Sequence, residues 1–119
     1  MSEQYDLYQE IAQKRRELDI CIRELRKNGT AYAEAERAYK VKLRETCLKL
    51  RSQDMAIGMI QLTCYGVPEV AELRFQRDVA ETVYQANREA IQSIKLQLRL
   101  IEGQINREFG SPTAGTGSM

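Results

Sequence analysis

Apolar residues near the end of the chain repeat at alternating intervals of three and four positions. The stretch IQSIKLQLRLIEGQI, residues 91–105, aligns large aliphatic side chains on one side of a helix, while Leu96 and Leu100 lie on a second side. The aligned set, called the C-terminal seam below, is Ile91, Ile94, Leu98, Ile101 and Ile105. Such spacing is typical of helices that pack as coiled coils. The pattern predicts a long helix over residues 68–109, opened by Pro68 in its first turn.

The first half of this helix carries a different seam. At the same heptad positions it has Leu73, Arg77, Ala80, Tyr84 and Asn87. Small and polar residues at such positions favour the close approach of two helices in one specific register. Gly103, within residues 91–105, costs about 1 kcal/mol relative to alanine in a helix interior. It therefore predicts the close approach of a neighbouring backbone.

Two shorter helices are predicted before the long one. The first covers residues 2–28, and its apolar side follows heptad spacing. That side consists of Tyr8, Ile11, Leu18, Ile22 and Leu25, with Arg15 among them. Gly29 can adopt the left-handed conformation that ends a helix, and Thr30 can cap the next helix. The second helix then covers residues 31–53 and, because the connection is short, packs antiparallel to the first.

The rest of the chain completes an all-α fold. The apolar side of the second helix is Tyr32, Tyr39, Leu43 and Leu50. The connector DMAIGMIQLTCYG, residues 54–66, predicts a short helix that ends at Gly66. The tail, residues 110–119, is rich in glycine, serine and threonine and is predicted to be flexible. Residues 1–109 thus form a single predicted domain, with an antiparallel helical hairpin, a short connector helix and one long C-terminal helix.

This arrangement is coiled-coil-like and predicts self-association. The hairpin covers part of one side of the long helix, but Leu96 and Leu100 add apolar surface elsewhere. A second chain is the simplest source of the missing cover. We therefore expect the C-terminal seam to be an interface in a homo-oligomer, a dimer or larger. A three-helix monomer is the alternative.

Composition narrows the class of protein. A length of 119 residues fits one domain, and 43% hydrophobic with 29% charged residues is typical of a folded, soluble chain. The net charge of +1 creates no global attraction to nucleic acid or to an acidic membrane. The polar start MSEQYDLYQE predicts no signal peptide, and no run approaches the roughly 18 apolar residues of a membrane helix. A cytoplasmic protein is expected.

Candidate chemistry is sparse. The chain contains no histidine, which is the usual general base and the commonest metal ligand. It also lacks the common catalytic, phosphate-binding and metal-binding motifs. The cysteines Cys21, Cys47 and Cys64 are scattered, which predicts reduced thiols in or beside the core rather than a disulfide framework or a zinc site. We expect a non-enzymatic protein without a metal or cofactor.

Residues 31–53 form the basic part of the chain, with six basic and three acidic residues. At 100° per residue, four of these cations fall within one sector of about 60° beside the apolar side of the predicted second helix. This set, called the basic stripe below, is Arg37, Lys40, Arg44 and Arg51. It is either a solvated flank whose aliphatic stems cover the apolar side or a contact for an anionic partner surface. Arg74 and Arg77 on the long helix are candidates to extend that contact.

A direct contact with DNA is a competing hypothesis. The stretch IGMIQLTCYGVPEVAELR, residues 57–74, has the outline of a helix-turn-helix that would meet DNA through Arg74 and Arg77. Its turn is short, however, and Glu69 and Glu72 would face phosphates with the wrong sign. A tight corner between packed helices is the preferred interpretation.

A site for a small nucleotide signal is a further alternative. The chain has six tyrosines, whose rings could stack on nucleotide bases. The seven-residue spacing of Tyr32 and Tyr39, however, is typical of core packing. Only Tyr65, beside Gly66 in the connector, is expected to be exposed. At an oligomer interface it could hold a nucleotide together with arginines.

The stretch from Ala31 to Gly110 resembles a group of small all-helical proteins, without an assigned activity, from phages and prophages of Gram-positive bacteria. The resemblance rests on the phrase LRFQRDVAE, residues 73–81, followed by an alternating isoleucine and leucine helix that closes at Phe109. The connector departs from that pattern, since it has CYGV at residues 64–67 where the group has a more polar, acidic turn.

The resemblance implies a context rather than a mechanism. Small helical phage proteins commonly act by binding, for example by blocking a host nuclease or defence complex. Together with the charge pattern, this predicts an oligomeric protein in the cytoplasm of an infected or lysogenic bacterium. Its expected partner is a host or phage protein complex that processes nucleic acid or acts in defence, and occlusion is the expected mechanism.

Overall fold

Three helices make up the part of the chain that the computed structural model describes, residues 3–110. They are α1, Glu3–Ser52, α2, Ile57–Cys64, and α3, Pro68–Phe109. These residues contain no strand, and the all-α prediction is confirmed. The predicted connector helix is present, and α3 has the predicted bounds. The predicted flexible tail lies outside the described residues, apart from Gly110.

α1 is one continuous helix of 50 residues, so the predicted break near Gly29 and the antiparallel hairpin of helices 2–28 and 31–53 are wrong. Gly29 does not have the positive φ that would end a helix. It instead leaves room for an aromatic ring, since a Cβ atom at this position would lie 3.1 Å from Cε1 of Tyr84. Glycine in a helix interior costs about 1 kcal/mol relative to alanine. Packing against α3 offsets this cost, because most helix stability in proteins comes from tertiary contacts.

The end of α1 is set by a backbone turn at Asp54. Asp54 has a φ of 64°, the left-handed conformation that glycine usually supplies after a helix. Its N–H donates to the Arg51 carbonyl at 3.0 Å, and the Met55 N–H donates to the Leu50 carbonyl at 3.2 Å. These two bonds form a Schellman motif, which satisfies carbonyl groups that the last turn would leave unpaired. Aspartate is one of the few non-glycine residues that tolerate this conformation.

The described chain divides into two compact units, and unit 1 lies within Met1–Glu24 and Asn87–Met119. Its core is a single cluster formed by the start of α1 and the end of α3. The cluster consists of Ile11, Ile94, Leu98, Ile101 and Ile105, with Leu7, Leu18 and Cys21 packed against it. Asn87 donates a hydrogen bond from Nδ2 to the Cys21 carbonyl at 3.0 Å in the same unit.

The C-terminal seam is therefore buried within the chain. The sequence had predicted that it forms an interface between two chains. Ile91, Ile94, Leu98, Ile101 and Ile105 are each 6–9% exposed, and four of the five belong to the cluster with Ile11 of α1. The heptad spacing identified the side of α3 that is buried. It did not identify the helix that covers it, which is α1 of the same chain.

Two details of unit 1 also differ from the sequence predictions. Tyr8 and Ile22 are 53% and 47% exposed, because the packed side of α1 runs through Leu7 and Cys21, one position earlier in each case. At Gly103 the nearest described atom to an added Cβ is Nη1 of Arg107, at 3.4 Å on the same helix. The predicted close approach of another backbone is thus not found among the described residues.

Unit 2 spans Leu25–Ala86 and contains the rest of α1, all of α2 and the start of α3. Its most buried side chains are Tyr39, Thr46, Ile60, Cys64 and Val70. An ion pair between Lys42 Nζ and Glu69, at 3.4 Å, joins α1 to the first turn of α3. Residues 3–110 include no helix with the length and hydrophobicity that crossing a membrane requires.

Replacing the two helix-interior glycines should give unequal results. Gly103→Ala should raise the free energy of unfolding by about 0.5–1 kcal/mol, since only the flexible end of Arg107 lies near the new methyl group. Gly29→Ala should gain less, or lose stability, because the Tyr84 ring must move. Urea unfolding followed by circular dichroism measures both values. In a Tyr84→Ala background the gain from Gly29→Ala should return, and an unchanged effect there would contradict the proposed contact.

Truncating leucines on the two sides of α3 should distinguish the intrachain core from exposed surface. Leu98→Ala should lower the free energy of unfolding by about 2–4 kcal/mol, because Leu98 is 9% exposed within the core cluster. Leu100→Ala, at a position 62% exposed, should change it by less than about 0.5 kcal/mol. Urea unfolding of both variants at one low protein concentration makes the comparison. Equal losses would show that unit 1 is packed differently.

Candidate partner-binding face of the first helix

The basic stripe lies on the part of α1 that belongs to unit 2. Because α1 is continuous through residues 37–51, the helical spacing keeps the four cations on one side. The side chains of Arg37, Lys40, Arg44 and Arg51 are all exposed. The structure thus places these cations together on the surface, and none of them lies in the core of unit 2.

Most of these cations are not neutralised by neighbours. Lys40 forms an ion pair with Glu36 at 3.5 Å, but its side chain stays 67% exposed, and exposed pairs of this kind contribute little. Arg37 and Arg44 form no ion pair or side-chain hydrogen bond with any residue of 3–110. Arg51 lies in the last turn of α1, where a cation also interacts favourably with the helix dipole. Arg37, Lys40 and Arg44 are therefore the cations most available to a partner.

Apolar side chains accompany the cations on the same face. Val41 and Leu48 are 52% and 62% exposed, seven residues apart on α1. An open groove of about 650 Å³ lies between the apolar and basic side chains. Its lining is Lys40, Val41, Leu43, Arg44, Cys47 and Leu48. A face with exposed aliphatic groups beside cations can bury apolar surface and pair charges at once, which is the combination found at protein interfaces.

Arg77 does not extend this face. Its guanidinium carbon lies 4.7 Å from the ring centroid of Tyr39, a residue that is only 6% exposed. The same guanidinium forms an ion pair with Asp78 at 2.9 Å. Arg77 occupies a seam position of α3, so its cation packs against α1 of the same chain. The prediction that Arg77 meets a partner is corrected accordingly.

Arg74 lies instead at the corner between α2 and α3. Its guanidinium carbon is 5.8 Å from the ring centroid of Tyr65, which is 47% exposed. The prediction that only Tyr65 among the tyrosines is exposed is wrong, since Tyr5 and Tyr8 are 51% and 53% exposed. Val70, in the first turns of α3, is fully buried and fixes the corner against the core. Because Arg77 packs on the Tyr39 ring, the predicted helix-turn-helix surface keeps only one of its two arginines. The corner is built as a packed connection between helices.

Aromatic and polar groups take part in the α1–α3 contact of unit 2. The Tyr32 and Tyr84 rings stack with centroids 6.0 Å apart and an interplanar angle of 26°. The Tyr32 hydroxyl donates a hydrogen bond to Oε2 of Glu81 at 2.8 Å. This bond to a carboxylate, with burial as a second cause, raises the pKa of Tyr32 above its ordinary value. Of the small and polar seam predicted for the first half of α3, Tyr84 and Arg77 meet aromatic rings of α1.

Cys47 and Cys64, scattered in the sequence, lie beside each other in unit 2. Burial, and next a hydrogen bond with the Cys64 thiol, raise the pKa of the Cys47 thiol. A raised pKa leaves less thiolate at neutral pH, and the thiolate is the form that attacks electrophiles or binds metals. Among the described residues, no group of three histidine, cysteine, aspartate or glutamate side chains is placed to hold a metal ion.

The apolar half of the candidate site could not be identified from heptad spacing. Val41 and Leu48 lie away from the alternating positions that mark the buried side of α1, and only their exposure shows their role. The signal in the sequence is their spacing of seven, which puts both next to Arg44 on one side of the helix. On α3 the off-seam residues Leu96 and Leu100 were predicted and are exposed, whereas Phe75, Val79 and Val83 were missed for the same reason.

The pH dependence of stability should reveal the Tyr32–Glu81 bond. Because the pKa of Tyr32 is raised in the folded state, its contribution to stability is complete below about pH 10 and is lost as pH rises through the folded-state pKa. The free energy of unfolding should fall more steeply above pH 10 in the wild type than in Tyr32→Phe. Glu81→Gln should flatten the slope in the same way. Equal slopes in all three proteins, measured by urea unfolding, would contradict this role.

Comparisons with known proteins add no relationship to this picture. No protein-family model matches the chain, and neither curated proteins nor solved structures give a significant match. The resemblance to phage proteins stays a prediction from the sequence.

Proposed function

We propose that the chain is a non-enzymatic, self-associating helical protein that binds an acidic surface of a partner protein through the basic face of α1. The observation that carries the proposal is the grouping of exposed Arg37, Lys40 and Arg44 with exposed Val41 and Leu48 on one side of a continuous helix. Oppositely charged surfaces speed association, and aliphatic groups supply contact area.

Occlusion is the proposed mechanism. A helix is a rigid element, so its face covers a partner surface without rearranging. The proposed partner is a host or phage complex that processes nucleic acid or acts in defence, encountered in the bacterial cytoplasm. This part of the proposal rests on the resemblance to phage proteins.

The structure lends less support to the two alternatives. Direct binding of DNA by the α2–α3 corner needs Arg77, which packs on Tyr39. The nucleotide-signal hypothesis needs Tyr65 and arginines at an oligomer interface, and Arg74 already lies against the Tyr65 ring. Neither alternative has a feature comparable to the basic face of α1.

Neutralising the basic face should abolish partner binding and leave the fold intact. The variant Arg37→Gln, Lys40→Gln, Arg44→Gln removes three exposed charges and keeps good helix formers. Tagged protein is used to capture a partner from a bacterial host extract, and binding of the purified partner is then measured by calorimetry. We expect at least a tenfold loss of affinity in the variant and weaker wild-type binding as salt rises from about 50 to 500 mM.

The matched control removes the same charge from another part of α1. Arg16→Gln, Arg23→Gln, Arg26→Gln also replaces three exposed arginines, and it should bind within about twofold of the wild type. If the basic-face variant binds as tightly as the control, the proposal is wrong. A gel shift with duplex DNA tests the main alternative, since even non-specific DNA binders show a Kd of about 10⁻⁴–10⁻⁶ M.

A further inference from the structure

α3 carries an apolar stripe on the side that faces away from the core of unit 2. The stripe, called the outer stripe below, is Phe75, Val79 and Val83, which are 62%, 47% and 49% exposed. Val79 is nine residues from the fully buried Val70, which at 100° per residue puts the two on opposite sides of the helix. The outer stripe therefore lies on apolar surface that the described residues of unit 2 leave uncovered.

The arrangement of the stripe matches one class of helix packing. Its members follow one another at intervals of four, so they form a single ridge of the i±4 type. Packing such a ridge against another of the same type gives a crossing angle of about −50°, the commonest class in globular proteins. Helices that cross at this angle touch over only a few turns. A ridge of three side chains is sufficient for such a contact.

Charge favours a second copy of this chain as the occupant. On the helix surface the stripe is flanked by Gln76 and Thr82, which are neutral, and by Ala86, which is small. The acidic residues beside the stripe are Glu72, at one end, and Asp78, which lies three positions after Phe75 and forms an ion pair with Arg77 at 2.9 Å. The basic face of α1 would repel itself, whereas this stripe carries no such repulsion along its length.

An antiparallel contact centred on Val79 suits the stripe best. In that arrangement positions at equal distances before and after Val79 meet across a two-fold axis, so Phe75 lies beside Val83 of the second copy. The neighbours Thr82 and Ala86 leave space for the phenyl ring, and Glu72 meets an alanine. A parallel contact would instead bring Glu72 against Glu72 and Phe75 against Phe75 of the second copy, with like charges opposed.

We infer that the chain forms a two-fold symmetric dimer through an antiparallel contact of the outer stripe, Phe75, Val79 and Val83, with the same stripe of a second copy. This inference deepens the self-association in the proposed function and replaces the C-terminal seam as its interface. A two-fold contact is isologous, so it closes on itself and produces a dimer. Because the contact is small, the Kd should lie in the micromolar range typical of weak complexes.

A charge-swap experiment at the two-fold axis tests the inference. Val79 lies opposite itself in the proposed dimer, so Val79→Glu places two carboxylates together and Val79→Lys places two ammonium groups together. Each variant alone should sediment as a monomer at about 500 μM, with at least a tenfold higher Kd than the wild type. A one-to-one mixture of the two should recover a dimer, because only the mixed pair brings opposite charges together. Circular dichroism checks that each variant retains its helices.

The same measurements define the results that overturn the inference. A wild-type mass of 13.7 kDa at about 500 μM, a mass above that of a dimer, or a dimer that persists in Val79→Glu would each do so. Failure of the mixture to associate would rule out the two-fold contact. The control Val41→Glu, at a position of similar exposure on α1, should leave the dimer unchanged. If it breaks the dimer instead, the occupant of the outer stripe is the α1 face of the second copy.

The dimer and the proposed binding function can be disproved independently of each other. Sedimentation needs no partner protein, and the basic-face variant leaves the outer stripe intact. If the Val79→Glu variant is monomeric but still captures the partner, then partner binding does not require the dimer.

Discussion

A helix that packs against one other helix can bury only one side of its surface, and the rest of this structure depends on that constraint. In unit 1 the buried side of α3 is a line of isoleucine and leucine, while Leu96 and Leu100 on other sides stay exposed. In unit 2 α1 buries Tyr39 and Thr46 and leaves Val41 and Leu48 in solvent. Exposed apolar side chains are costly unless something covers them. The surfaces proposed to bind therefore follow directly from how little each helix can bury.

The buried side of the second half of α3 could be predicted from the sequence, but the element that buries it could not. The spacing of the C-terminal seam identified five side chains that are all buried. Local signals also predicted α2 and the start of α3, because Gly66 and Pro68 have strong positional preferences. Whether α1 or a second chain covered the seam depended on the course of α1. The predicted break at Gly29 gave the wrong course for α1.

Gly29 shows why local signals can mislead. Glycine is common where a helix ends and also where a large side chain must approach a backbone, and the two uses look the same in a sequence. The stop was supplied elsewhere, by Asp54 in the left-handed conformation, a residue type less often found there. The errors at Tyr8 and Ile22 have a related cause, because apolar residues stand at both neighbouring positions, Leu7 and Cys21. Only contacts with α3 decide between them.

Among the arginines, position on the helix determined whether the side chain packs against the other helix or stays exposed. Arg77 stands on the heptad seam and packs on Tyr39, whereas Arg37 and Arg44 stand off the seam and remain exposed. The seam position of Arg77 was visible in the sequence. The sequence could therefore have predicted that Arg77 does not belong to the binding face, because a seam position indicates packing even for a charged residue. The exposure of Val41, Leu48 and Phe75 could not, since apolar residues off the seam have no partner in the heptad pattern.

The contact between Gly29 and Tyr84 has a consequence for how related sequences can diverge. A side chain at position 29 and the ring at position 84 would occupy the same space. Neither position can therefore enlarge alone, and a homologue with a larger residue at 29 should carry a smaller one at 84. Because the Tyr84 ring also stacks on Tyr32, the third position should change with them. Correlated variation at these three sites would be the evolutionary record of one close helix contact.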